Sequence, residues 1–165
     1  MNYRAVVHIQ VAMAIGVVAV VAWSGCRLPQ PAAASPSEIL LGVSWAYAVP
    51  LAAAILSVMF QRAASADAIL GYRAAHSGKT LRDAVLQNTL EQTLLGVLAL
   101  AAFASQAPSA LFGILPVAAW LFLAGRILFV AGYTISPMWR FFGFSLNFYA
   151  SLALLAGAAW LSLGG

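Results

Sequence analysis

Of the chain's 165 residues, 64% are hydrophobic and only 7% are charged, and the mean hydropathy is +0.95. A water-soluble domain carries charge on about a quarter of its residues and is about half apolar, so this composition cannot build a water-facing surface, whereas a bilayer removes the need for one. The net charge of +4 excludes little by itself, but eight basic residues scattered along the chain form no phosphate-binding stripe, so nucleic acid is not an expected partner. The single cysteine, Cys26, rules out an internal disulfide framework and a thiolate zinc cluster, and His8 and His76 are too far apart in sequence to suggest a metal site.

A spanning helix needs about 20 predominantly apolar residues. Five stretches qualify, roughly 5–25, 39–60, 84–105, 109–130 and 141–163, so the chain is expected to be an all-α integral membrane protein with five crossings. In the first, Arg4, an apolar run and Trp23-Ser24-Gly25-Cys26 loosely resemble a secretory or lipoprotein signal. The run is long for a signal core and tryptophan is poorly placed before a lipidated cysteine, so an uncleaved anchor is the preferred reading. Before the second, Ser35-Pro36-Ser37-Glu38 reads as a capping box with proline at the first helical position. Thr80-Leu81-Arg82-Asp83 is a weaker version before the third, and Ser136-Pro137 can start the last. Pro50 and Pro116 fall inside the second and fourth stretches, where each should kink its helix.

With the N-terminus in the cytoplasm, Arg4, Arg62, Arg73, Lys79, Arg82, Arg126 and Arg140 lie at or near the inner face and only Arg27 lies outside. Seven against one satisfies the positive-inside rule, and the reverse topology inverts it. The longest inner loop runs from about residue 61 to 83.

Polar groups inside a membrane are costly and mark functional candidates. Glu91 is the foremost, about two turns into the third stretch. Asn88, Glu91 and Gln92 stand at i, i+3 and i+4, which places them on one helix face. Arg126 lies near the end of the fourth stretch, Tyr133 two turns beyond it, and Arg140 opens the fifth. Two accounts stay open from the residues alone. Glu91 pairs with Arg126 or Arg140 to hold the bundle together, or these groups line an anion- or zwitterion-binding pocket near the inner interface. His8 and Gln10 read as packing hydrogen-bond groups of the first stretch.

Gln87-Asn88-Thr89-Leu90-Glu91-Gln92, followed by Gly125-Arg126, Gly132-Tyr133 and Arg140-Phe141-Phe142-Gly143, resembles the MAPEG superfamily of membrane-associated proteins in eicosanoid and glutathione metabolism, in a bacterial-type member. The resemblance runs from about Ile39 to the C-terminus. It implies a four-helix MAPEG-like bundle over residues 39–165, preceded by one extra N-terminal transmembrane helix and external linker over 1–38. It further implies a homotrimer in a bacterial inner membrane, with glutathione as thiol substrate between subunits on the cytoplasmic side and no metal. Asn88 and Glu91 match the family pair that contacts the tripeptide, Tyr133 a tyrosine lining its site, Arg140 the arginine that stabilises the thiolate, and Arg62 another glutathione-binding arginine. Arg126 joins them as a substrate-binding candidate.

The activity implied is a glutathione-dependent transferase or peroxidase acting on lipophilic small molecules that arrive from membrane lipid. The alternative is a non-catalytic module of the same fold that binds a lipid or a partner protein. Transport fits least, since the charges sit near one interface and no inverted repeat is evident. The chain departs from the family pattern at Ala84, Gln87 and Phe129, where characterised members carry arginine, in some cases another basic residue, and commonly tyrosine; Arg82, Arg73 or Lys79 could replace the missing cation. The sole cysteine also tests the orientation: Cys26 should react with a membrane-impermeant maleimide added outside intact spheroplasts, and labelling only after lysis would reverse the topology.

Overall fold

The computed structural model describes residues 3–27, 35–64, 80–135 and 137–164. Among them the chain is all-helical: α1 (Tyr3–Gly25), α2 (Pro36–Val43), α3 (Trp45–Ala63), α4 (Leu81–Gln106), a 3-10 turn (Ser109–Leu111), α5 (Ile114–Ile135) and α6 (Pro137–Ser162). The loop residues Arg73 and Lys79, and Ser136 before α6, lie outside the described residues, as does the Arg4 side chain.

The helix starts follow the local chemistry. At Ser35 the hydroxyl accepts from the Glu38 N–H while the Glu38 carboxylate accepts from the Ser35 N–H, which satisfies two donors that a helix N-terminus leaves open. Thr80 and Asp83 repeat this at α4, and Pro137 opens α6, where its missing N–H costs nothing. Of the two internal prolines, Pro116 departs from expectation. Pro116 sits in the first turn of α5, because that helix begins only at Ile114, so it breaks no internal hydrogen bond. Pro50 lies within α3, and the hydrogen-bonding break lies upstream at Ser44, which keeps helical dihedrals (φ −56°, ψ −32°), so α2 and α3 form one interrupted rod.

Four segments are long and apolar enough to cross a membrane: Ala5–Gly25, Pro36–Ala63, Ser109–Tyr133 and Trp139–Ser162. The fifth expected crossing is α4, which at 26 residues has the length, while Asn88, Glu91 and Gln92 lower its apolar character below that of the others. It packs on α6 and α3, with Thr89, Gln92 and Thr93 buried.

α6 is the hub and packs on α5, α4 and α1. The main core joins Tyr47, Leu100, Phe103, Leu115, Phe122 and Leu154, with the rings of Tyr47 and Phe122 stacked at 4.2 Å. α1 fits a second cluster through Ala14 and Val18 against Leu146. His8 faces outward, and the buried Gln10 side-chain oxygen has no hydrogen-bond partner among the described residues, so neither makes the packing bond expected of it.

The α5–α6 pair depends on glycine. A Cβ on Gly143 would collide with the backbone of Phe129 and Gly125, and one on Gly132 with the backbone of Arg140. Backbone cannot yield as a flexible side chain can, so Gly143→Ala should lower stability by about 1–3 kcal/mol. The measurement is unfolding of the detergent-solubilised protein, with Gly16→Ala as control because nothing lies within 4 Å of a Cβ there. Equal stability of the two variants would contradict this packing.

Candidate functional site

The site is organised around a cation inside the bundle. Arg126 is 2% exposed, halfway along α5. Its Nη1 donates to Asn88 Oδ1 at 2.9 Å. On the other side stands Asn147 of α6, only 1% exposed. In the amide orientation assigned from its hydrogen-bonding network, Asn147 accepts from Arg126 Nε at 2.6 Å and donates to the Phe122 carbonyl at 3.2 Å. Gly125 makes room for this: a Cβ there would overlap the Asn147 amide. Helices α4, α5 and α6 are thus tied through one guanidinium.

From Arg126 a ladder of rings runs toward the α5–α6 turn. The guanidinium lies 4.5 Å from the Phe129 ring centre, Phe129 meets Tyr133 edge-to-face at 5.3 Å, and the Arg140 guanidinium lies 4.9 Å from the Tyr133 ring. Spacing of i, i+3 and i+7 stacks these α5 side chains along one face. Arg140 also lies 5.2 Å from the Phe141 ring and is partly exposed. Phe129 thus meets the Arg126 guanidinium with a ring face.

The polar residues of α4 do not share one environment. Positions i, i+3 and i+4 span about 100° of a helix surface, wide enough here to run from the outside of the bundle to its interior. Asn88, in the middle, reaches Arg126. Gln92 is turned inward, where its Oε1, like Thr93 Oγ1, has no hydrogen-bond partner among the described residues. Glu91 is exposed and accepts a 3.0 Å hydrogen bond from Gln87 Nε2. Among the described residues it pairs with neither Arg126 nor Arg140, so of the two accounts the ion pair does not form within one chain. Arg62 is exposed in the last turn of α3 and joins no other candidate. Arg82 donates to the Ser57 carbonyl at 3.0 Å, fastening the start of α4 to α3. The structure thus brings together Asn88 with Arg126 and Tyr133 with Arg140, while Glu91 and Arg62 stand apart.

Two features escaped the sequence reading. Asn147 is the polar residue that completes the Arg126 site; its signal was an amide within the apolar run Phe144-Ser145-Leu146-Asn147-Phe148, opposite Gly125. The second is a groove of about 560 Å³ between α3, α4 and α5, bounded by α3 from Val49 to Ser57, by Val85 and Thr89 of α4, and by α5 from Leu123 to Ala131, with Arg126 in its wall.

Asn147→Leu should strip the Arg126 Nε of its acceptor and cost about 1–3 kcal/mol, the desolvation penalty of a buried donor left unpaired. Ser151→Ala, which removes only a hydroxyl bonded to the Asn147 backbone carbonyl at 3.0 Å, should shift unfolding far less. Both are read from denaturation in mixed micelles, and an unaltered Asn147→Leu midpoint would show that the amide does not support Arg126.

No curated protein and no solved structure matches the chain. The MAPEG family matches residues 7–160, a stretch that begins inside α1 and ends in the last turn of α6. With helices able to span a bilayer and a family match over nearly its whole length, this chain is an integral membrane protein that belongs to the MAPEG family.

Proposed function

We propose that the chain is a glutathione-dependent transferase or peroxidase acting on lipophilic electrophiles. Family membership supports a membrane role related to glutathione or eicosanoid chemistry. The observation that carries the finer reading is Arg140, a partly exposed guanidinium held against the Tyr133 ring, with no carboxylate within 4.0 Å among the described residues. Such a cation is free to attract an anion.

Glutathione brings two carboxylates, one ammonium and a thiol with a pKa of about 8.5. A nearby cation favours the thiolate, so Arg140 is the residue assigned to stabilise it, with the thiol proton released to water. The thiolate then attacks a lipophilic electrophile, forming a carbon–sulfur bond as the leaving group departs with its electron pair. With an organic hydroperoxide, two glutathiones are oxidised to the disulfide and the hydroperoxide is reduced to alcohol and water. Tyr133 and Asn88 line the site, Arg126 holds Asn88 in place, and Arg62 serves a carboxylate.

Glu91 is assigned to the ammonium. Its exposure beside Leu90, Leu94 and Leu98, which are 52%, 60% and 57% exposed, favours a neighbouring copy of the chain covering this stripe. A carboxylate facing lipid would be costly, and the homotrimer of the proposal removes that cost while bringing Arg62 of one subunit toward the site of the next. The inner-face location of Arg62 and Arg140, in a bacterial inner membrane, belongs to the same proposal. A second reading, a non-catalytic module that holds a lipid, is favoured by the apolar groove between α3 and α5.

The deciding experiment is glutathione titration of the purified protein, followed at the ultraviolet absorbance of the thiolate, with conjugation of a model electrophile. Arg140→Ala should abolish the thiolate signal and reduce turnover by about 10²-fold or more, the scale of losing one electrostatic stabiliser, and Arg140→Lys should restore part of both. Absence of glutathione binding, or turnover indifferent to Arg140, would transfer the assignment to the non-catalytic module.

A further inference from the structure

Among the described residues the charge of Arg126 has no counter-charge. Asn88 and Asn147 are neutral amides, and Phe122 and Phe129 offer only ring faces, at 5.9 and 4.5 Å. Among the described residues no carboxylate lies within 4.0 Å of the guanidinium. Arginine has five N–H donors; Nε and one Nη1 hydrogen are used, leaving three without a partner among the described residues. A cation removed from water without a counter-ion is far costlier than a paired one.

Arg126 lines the groove between α3, α4 and α5, whose walls, apart from Ser57 and Thr89, are apolar. Its rim side chains Val49, Ile127 and Val130 are 54%, 61% and 49% exposed, so the groove opens sideways, where the membrane's acyl chains lie. Its volume of about 560 Å³ falls within the usual ligand range. At roughly 30 Å³ per water-sized group that space holds on the order of 18 heavy atoms, the size of one acyl chain with its head.

We propose that this groove holds a single-chain anionic amphiphile taken from the bilayer, with its carboxylate or phosphate on Arg126 and its hydrocarbon against Pro50, Ala53, Ile127 and Val130. The site is formed within one chain on the α3 side of α4. Glu91 lies on the exposed surface of that helix and outside the groove lining, so the amphiphile lies on another side of α4 from the carboxylate assigned to glutathione, and the Arg126–Asn88 bond is what the two sites share. Charge-assisted hydrogen bonds to the head supply selectivity over a neutral chain of equal length, and Thr89 adds a hydroxyl beside the same opening.

The test uses the full chain in nanodiscs of phosphatidylcholine, titrated with the fluorescent fatty acid cis-parinarate. The expected result is saturable binding, displaced by palmitate or by hexadecyl phosphate but not by hexadecanol; the order of the two anions distinguishes a carboxylate occupant from a phosphate one. Arg126→Gln should weaken binding by about ten- to a hundredfold, the equivalent of one charge-assisted contact. Ala53→Trp, which fills the groove and leaves the Arg126 hydrogen bonds untouched, should block it even if Arg126→Gln fails to fold. Displacement by hexadecanol as effective as by palmitate, or binding indifferent to Ala53→Trp, overturns the proposal. So does displacement by glutathione, which would place Arg126 in the thiol site. Arg140→Ala should leave parinarate binding unchanged, so a failure of the glutathione reading and a failure of this one are told apart.

Discussion

A guanidinium enclosed in an apolar helix bundle is the constraint around which the rest of this structure is arranged. In hydrocarbon surroundings a cation that finds no partner must be hydrated, snorkel to an interface or be solvated by the protein. Arg126, halfway along α5, is solvated by the protein through Asn88 and Asn147. Each amide comes from a different helix, so dissolving one charge fixes the positions of three helices. Gly125 belongs to the same solution, since a side chain there would occupy the space of the Asn147 amide.

The same requirement explains why α5 and α6 form the closest pair. Lipid supplies no hydrophobic drive between apolar helices, so close backbone approach and interhelical hydrogen bonds hold them together. Gly132 and Gly143 allow the backbones to touch, and Asn147 supplies the bond. With α6 fixed on α5, its other surfaces receive α4 and α1. α1 is attached by small side chains and carries no residue of the Arg126 network, so its contribution is packing.

Polar chemistry is then divided between two surfaces of α4. Toward α3 and α5 lies an apolar groove with a buried cation in its wall, suited to a chain-like guest. On the outside lies a carboxylate among leucines, suited to a neighbouring protein surface. Arg140 stands near the end of the ring ladder, exposed enough to meet a water-soluble thiol compound.

The amino-acid order alone determined the helical, membrane-embedded character, the capped starts of α2 and α4, the proline start of α6 and the family, because apolar length, capping boxes and the Asn88–Glu91, Arg126, Tyr133 and Arg140 spacing are local properties. It misplaced the effect of Pro116, since the start of α5 depends on the turn before it. Only the tertiary structure decided which polar groups meet. Asn88, Glu91 and Gln92 looked equivalent at helical spacing, yet an arc of about 100° was enough to send one to Arg126, one outward and one into the core. The partnership of Arg126 with Asn147, and the groove left between α3 and α5, arise from residues far apart in the chain. Their meeting is set by how closely glycine lets two helices approach, a distance that no local pattern encodes.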